Sequence, residues 1–297
     1  MKCQPNNMTR LQTIVAPTVS PQPLVPDSVI AGIGSCFAQD ILMRFYTAGF
    51  QGFTNPTGIV YNAVSMAQAV RRAACKIPYL KDEFFQHNGL WCSWQHHGFF
   101  SDPSLDAAIE RANSTQERFR RALCDCELFV MTPSTSVVYE HHGQVVSNCH
   151  KVANHEFVRK TLSVEENYRA ITDAIRAART VSRDCAILLS LSPVIHYPGD
   201  LVLNVRSKAQ LLAAIHQCLE ENENTYYFPA YEIMSLQLRD YRFYNEDMLH
   251  PSELARNIVI ESFIDSWFTE EVHDILAESA RQRRAAAHRP LHNRPAK

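Results

Sequence analysis

Apolar positions along the chain follow two rhythms. Short unbroken apolar runs alternate with longer stretches in which apolar residues recur every three or four positions. Ser28-Val29-Ile30-Ala31-Gly32-Ile33 is the first run and predicts a buried strand. Residues 36–48 then place Phe37, Ile41, Leu42 and Phe45 on one helical face. A short strand over residues 49–54 runs into Asn55-Pro56-Thr57-Gly58, a turn sequence. Residues 63–75 and the Arg- and Glu-rich stretch 104–122 predict helices, and residues 127–131 a third strand. Val137-Val138-Tyr139 and Gln144-Val145-Val146 flank His141-His142-Gly143 and predict a hairpin. Ser163 with Glu166 forms a capping-box pattern, after which Tyr168, Ile171, Ile175 and Ala178 repeat at helical spacing. Residues 185–191 and 225–228 predict the fourth and fifth strands. Leu212, Ile215 and Leu219 mark a helix between them, and Leu254, Ile258, Ile264 and Trp267 mark a last long one.

Strands alternating with helices predict an α/β fold. Five such strands suit a flavodoxin-like three-layer α/β/α sandwich on a mostly parallel five-stranded sheet, whose ligands bind beyond the carboxyl ends of the strands. The expected organisation is an extended, proline-containing arm over residues 1–26, a single domain over 27–278 with an insertion around 76–125, and a basic disordered tail over 279–297. That tail holds Arg281, Arg283, Arg284, Arg289, Arg294 and Lys297 and no acid. It is the one stretch suited to RNA, phospholipid or an acidic partner. The whole chain of 297 residues has a net charge of −2, which gives no global attraction to nucleic acid. No apolar run approaches the length of a membrane span. Nine scattered cysteines fit reduced thiols better than a disulfide framework, and with no secretory pattern at the N-terminus they point to the cytoplasm.

Two short elements carry candidate chemistry. Gly34-Ser35-Cys36-Phe37-Ala38 joins the first strand to a helix. A nucleophile there meets free backbone N–H groups, which stabilise an anion and lower a thiol pKa. Gly34 lets a substrate approach closely. The inert alternative is a capped turn, with Ser35 as N-cap and Cys36 as a small buried residue. Asp247-Met248-Leu249-His250 lies ahead of the last helix. Its spacing lets the carboxylate orient the imidazole, as in a catalytic triad, though a loop histidine beside a capping aspartate has the same spacing.

A nucleophile after the first strand and an Asp-x-x-His after the last is the arrangement of SGNH-type ester hydrolases and acyltransferases. The string Gly-Ser-Cys-Phe-Ala at residues 34–38 resembles the GSCFA family, which looks like a branch of that superfamily. The stretches Asn55-Pro56-Thr57-Gly58-Ile59-Val60-Tyr61-Asn62, His87-Asn88-Gly89-Leu90-Trp91, Asn148-Cys149-His150-Lys151 and Arg239-Asp240-Tyr241-Arg242-Phe243-Tyr244 resemble it too. The resemblance implies an SGNH-hydrolase-like fold and acyl transfer. The superfamily's Gly-Asp-Ser, laid on Gly34-Ser35-Cys36, selects Cys36 as nucleophile, and a shift of one selects Ser35. His250 is then the base and Asp247 its partner. Oxyanion and substrate contacts are expected from Gly34, Asn55, Gly58, Ser134, Thr135, Asn148 and His150. Ser134 stands where relatives carry Gly, and the third-strand loop lacks the superfamily's Asn.

The expected substrate is an acylated carbohydrate or other small acyl ester, or an acyl thioester donor with a sugar acceptor. The expectation includes no cofactor and no metal. A non-catalytic carbohydrate- or ligand-binding module on the same fold is the alternative. Trp91, Trp94, Phe99 and Phe100 either pack the insertion or wall a sugar groove. Cys92, His96 and His97, the pair Cys124 and Cys126, and Cys149, His150 and His155 lack known zinc spacings. Arg206 and Lys208 either bind an anion near the fourth-strand loop or open an exposed helix.

Overall fold

The computed structural model describes residues 13–197 and 199–287. Its centre is a five-stranded, wholly parallel sheet built from β1 (Val29–Gly34), β2 (Gln51–Thr54), β5 (Leu128–Thr132), β9 (Ala186–Ser190) and β10 (Thr225–Phe228). The spatial order is β10-β9-β5-β1-β2. The chain therefore moves outward from β1 to β2, then returns to the other side of β1 with β5. That reversal opens a crevice at the carboxyl ends of β1 and β5, where doubly wound sheets bind ligands.

Strand alternation divides the core. On β5, Phe129 and Met131 face one layer, and Leu128 and Val130 face the other. The first layer is α2 (Ala63–Ala74), α3 (Leu105–Asp125), α4 (Val164–Arg179) and α5 (Leu201–Glu221). The second holds α1 (Cys36–Thr47), α7 (Glu253–Trp267) and α8 (Glu270–Ala287). A single turn, α6 (Ala230–Glu232), runs on as a π-turn over Ile233–Leu238 into this second layer. The predicted capping box is present: Ser163 Oγ accepts from Glu166 N–H, and the Glu166 carboxylate accepts from Ser163 N–H.

Two expectations need correction. The stretch 76–125 is not one insertion. Phe119 and Leu123 of α3 are fully buried, with Phe119 edge-on to Phe129 of the sheet, so α3 belongs to the sandwich itself. The excursion is shorter and carries the hairpin β3 (Phe85–His87) and β4 (Leu90–Cys92). The predicted hairpin is β6 (Val137–His141) with β7 (Gln144–Val146), and β8 (Val158–Thr161) adds to β6 to make a three-stranded antiparallel sheet. The tail is helical through Ala287, not disordered, because Ala and Arg are strong helix formers and Val272 and Leu276 bury against the second layer. Its remainder, 288–297, and residues 1–12 of the arm lie outside the described residues.

Arm residues 13–26 carry no helix or paired strand, but they are pinned. Ser20 N–H donates to Ser266, Leu24 N–H donates to Trp267, and Thr269 N–H donates to the Leu24 carbonyl. No helix among the described residues is long and apolar enough to cross a membrane.

Candidate active site

At the carboxyl end of β1 the chain turns at once into α1. Gly34 has no room for a side chain: a Cβ there would lie 2.6 Å from the Thr132 carbonyl oxygen. Its N–H donates to Asn55 Oδ1 (2.7 Å) and its carbonyl accepts from Val60 N–H (3.1 Å). Ser35 is the N-cap and is fully buried; its Oγ has no partner, and its N–H donates to the Thr132 carbonyl. Cys36 is the first helical residue and only half-buried. The two candidate nucleophiles are thus sorted by access. The N–H groups of Cys36 and Phe37 at the helix start have no acceptor within the helix, and both favour negative charge on the sulfur.

The expected lowering of the Cys36 pKa does not occur. Burial pushes the thiol above its ordinary value; the two N–H groups pull it back, Asp40 pushes it further up, and Lys208 pulls it down. Desolvation of the thiolate outweighs the helix terminus. A thiol in this state needs a proton acceptor to react.

Asp247 and His250 sit in a tight turn. Asp247 Oδ1 accepts from Leu249 N–H (2.9 Å) and His250 N–H (3.0 Å), and Met248 takes a left-handed backbone with φ of 58°. These backbone bonds, ahead of the imidazole contact, hold the Asp247 carboxyl down at about 2. Its Oδ2 lies 2.7 Å from His250 Nδ1. With Nδ1–H donating there, Nε2 keeps its lone pair and is turned away from the carboxylate. The Leu249 carbonyl accepts from Ile195 N–H (3.0 Å), which ties this turn to the loop after β9. Among the described residues, no hydrogen bond joins His250 to Ser35 or Cys36. Catalytic hydrogen bonds often form only once substrate is bound.

Most of the expected oxyanion donors are committed to the scaffold. Gly58 has φ of 86° and packs on His97, and its N–H closes a turn onto the Asn55 carbonyl. Asn55 spends its side-chain oxygen on Gly34 and its amide N–H on Gln39 Oε1 (3.0 Å). Ser134 and Thr135 N–H both donate to the Tyr61 carbonyl, and Thr135 Oγ1 pairs with Ser207 Oγ. Asn148 accepts from His150 N–H (2.7 Å), and the His150 ring contacts the Ser93 carbonyl (2.8 Å). Those last two residues hold the junction between the small sheets. There Trp94 stacks on Phe85 (3.8 Å between ring centres) and touches His141 and Phe157, so it packs the junction. No three His, Cys, Asp or Glu side chains among the described residues are grouped to hold a metal.

Two residues stand out that the sequence reading missed or undervalued. Lys208 is fully buried and donates to the Ser192 carbonyl (2.6 Å) and the Ser134 carbonyl (2.8 Å), with Ser134 Oγ at 3.4 Å. Desolvation lowers its pKa to about 7, opposed by Cys36. The signal was present: Asn204, Lys208, Leu211 and Ile215 share one helical face, and all are buried. Arg206 lies on the exposed face instead. His196, in the loop after β9, packs on the Tyr61 ring (4.7 Å); burial lowers its pKa to about 4, followed by the charges of Lys208 and His250. Burial also raises the Tyr61 phenol, with a smaller contribution from Cys36. Cys36, Tyr61, His196, Lys208 and His250 therefore form one electrostatically connected group around the carboxyl ends of β1, β5 and β9.

The GSCFA family model matches residues 29–263. The chain belongs to the GSCFA family. That span runs from β1 through the Asp247–His250 turn into α7, so it includes every candidate catalytic residue of this GSCFA domain. No curated protein matches in sequence. Similar solved structures include a carbohydrate esterase family 3 from Talaromyces cellulolyticus, at 7% identity and TM-score 0.39, covering 85% of this chain and 98% of that one. A Clostridium thermocellum family 3 carbohydrate esterase matches at 10% identity and TM-score 0.38, covering 84% and 96%.

Proposed function

We propose that this GSCFA domain is an acyl-ester hydrolase or O-acyltransferase of the SGNH type, working through Cys36, His250 and Asp247. The observation that carries this reading is the Asp247–His250 pair at 2.7 Å on the same end of the sheet as an accessible thiol at a helix N-terminus. In the proposed reaction, His250 Nε2 takes the Cys36 proton as the sulfur adds to the acyl carbonyl. Asp247 holds the Nδ1–H and stabilises the imidazolium. The N–H groups of Cys36 and Phe37, free at the start of α1, receive the oxyanion. Collapse expels the alcohol or thiol with the proton from His250, leaving a thioester on Cys36. Water or a second alcohol then takes the acyl group.

The substrate class proposed is an acylated carbohydrate or an acyl thioester. A second reading, a non-catalytic ligand-binding module, is favoured by the missing hydrogen bond between His250 and either nucleophile. The test is intact-protein mass after brief exposure to an activated acyl ester, with peptide mapping and His250→Ala as control. A His250-dependent adduct on Cys36 supports acyl transfer. Labelling that is equal in both proteins, or spread over the other cysteines, would replace it with the binding-module reading.

A further inference from the structure

Cys126 and Cys185 are two free thiols that the proposed acyl chemistry does not use. Both are buried, and both belong to the first core layer. They immediately precede β5 and β9, which are neighbours in the sheet, and so lie at the end opposite Cys36. Glu127 is held from both sides: its N–H donates to the Val29 carbonyl (3.1 Å), and its carbonyl accepts from Ala186 N–H (2.8 Å). The parallel register Leu128↔Ala186 therefore extends back to set Glu127 beside Cys185. Cys126 stands one residue further back on the same strand. With paired strands about 4.8 Å apart and a rise of about 3.3 Å per residue, the Cα atoms of the two cysteines are roughly 6 Å apart. That is the commonest Cα separation across a disulfide.

The two thiols are in hydrogen-bond contact with each other, and each also meets the Ser182 hydroxyl. Ser182 Oγ donates as well to the Cys126 carbonyl (3.4 Å), which folds the turn after α4 over the pair. Their surroundings are unequal. Cys126 Sγ lies 3.3 Å from the Leu123 carbonyl, an acceptor that favours the thiol. Cys185 Sγ lies 3.9 Å from Arg179 Nη1, whose guanidinium also spans the carbonyls of Arg183, Cys185, Glu223 and Asn224. Contact with Cys126 favours the Cys185 thiolate most, and Ser182 and the Arg179 charge add to it, against burial and Asp184. The same contact, together with burial, keeps Cys126 protonated. Arg179, Asp184 and Asn224 line an open hollow at this end of the sheet, so a small oxidant reaches the residues that flank Cys185. Cys124, the thiol nearest in sequence, is turned to Arg120 Nη1 instead (3.2 Å).

We propose that Cys126 and Cys185 form a reversible oxidation site, closed to a disulfide by hydrogen peroxide. The Cys185 thiolate attacks one peroxide oxygen, the O–O bond breaks, and hydroxide leaves as the sulfenic acid forms. The Cys126 sulfur then displaces that hydroxyl, the S–S bond forms, and water leaves with the Cys126 proton. Two thiols and one peroxide give one disulfide and two waters; each sulfur gives up one electron and the peroxide takes both. The bond ties the start of β5 to the start of β9. The site is independent of acyl transfer at the other end of the sheet.

The experiment treats the folded full chain with hydrogen peroxide, blocks the remaining thiols with N-ethylmaleimide in denaturant, and maps the peptides without reduction. The expected product is a cross-linked pair of peptides joined through Cys126 and Cys185, lighter than its parts by two hydrogens and lost after dithiothreitol. Cys126→Ser should abolish the cross-link and leave a sulfenic acid on Cys185 that dimedone tags. Cys185→Ser should leave Cys126 fully blocked by N-ethylmaleimide. Recovery of both cysteines as N-ethylmaleimide adducts, after the exposed Cys75 has been oxidised, overturns the proposal. Disulfides spread over the nine cysteines with no preference for this pair overturn it too. The wild-type map is decisive by itself, so a variant that does not fold leaves the test intact.

Discussion

Asp247 holds His250 twice, through the backbone N–H with Oδ1 (3.0 Å) and through Nδ1 with Oδ2 (2.7 Å). The carboxylate thus fixes both the turn and the ring that projects from it. Asp247→Asn keeps the shape and an acceptor for the backbone but presents an amide to Nδ1. Acyl transfer should fall by a factor on the order of 10²–10⁴, because the tautomer and the imidazolium both lose support. Turnover of a p-nitrophenyl ester measures it. Activity within twofold of wild type would remove the pair from the mechanism.

Gly58 carries a backbone φ of 86°, and a Cβ at that position would lie 2.4 Å from His97 Cβ. Gly58→Ala therefore meets both strain and a clash with a neighbour anchored by its own N–H to the Thr57 carbonyl (2.7 Å). We expect a loss of about 1–3 kcal/mol in urea unfolding. Because the Gly58 N–H already closes a turn, ester turnover by the folded fraction should change little.

Stability should rise with pH across a window set by Lys208. Its folded pKa is about 7 against an ordinary 10.5. Between those values the unfolded chain binds the extra proton, so unfolding becomes harder as pH increases. Below about 7 both states are protonated and the burial cost is borne in full. Urea midpoints across pH 6.5 to 10 should show the wild type gaining on Lys208→Met as pH rises. A constant difference would mean that Lys208 titrates normally in the fold.

Phe119 tests whether α3 is part of the sandwich. It is fully buried against Phe129. Phe119→Ala should cost about 3–5 kcal/mol, the range for a large core truncation. A cost below about 1 kcal/mol would fit a dispensable lid instead.

The central sheet was legible because its strands are wholly apolar and separated by periodic helices. Residues 225–228 were placed as they stand, and the remaining sheet strands to within a residue or two. Strand β8 was not legible, since Val158-Arg159-Lys160-Thr161 is exposed and has no apolar face to show. The helix 104–122 was seen as a helix, but its Arg-rich outer face hid the stripe of Ala108, Ala112, Phe119 and Leu123 that buries it. At the site, the Asp247–His250 contact followed from a three-residue spacing. The spending of backbone donors did not, because whether the Gly58 N–H faces a substrate or a carbonyl depends on a turn closed in space. Lys208 was undervalued because a lysine near a helix start is usually solvated, and only its register with Leu211 and Ile215 argued otherwise.

The clasp between Leu24 and Phe268 joins the arm to the α7–α8 corner at the foot of the sheet. Helix α7 begins just after His250 and ends there, so its 15 residues separate clasp from chemistry by roughly 22 Å. A mechanical load or tether applied through residues 13–24 or through α8 would be taken up at that foot. The domain could be immobilised from that side with the mouth around Cys36 still facing free solution.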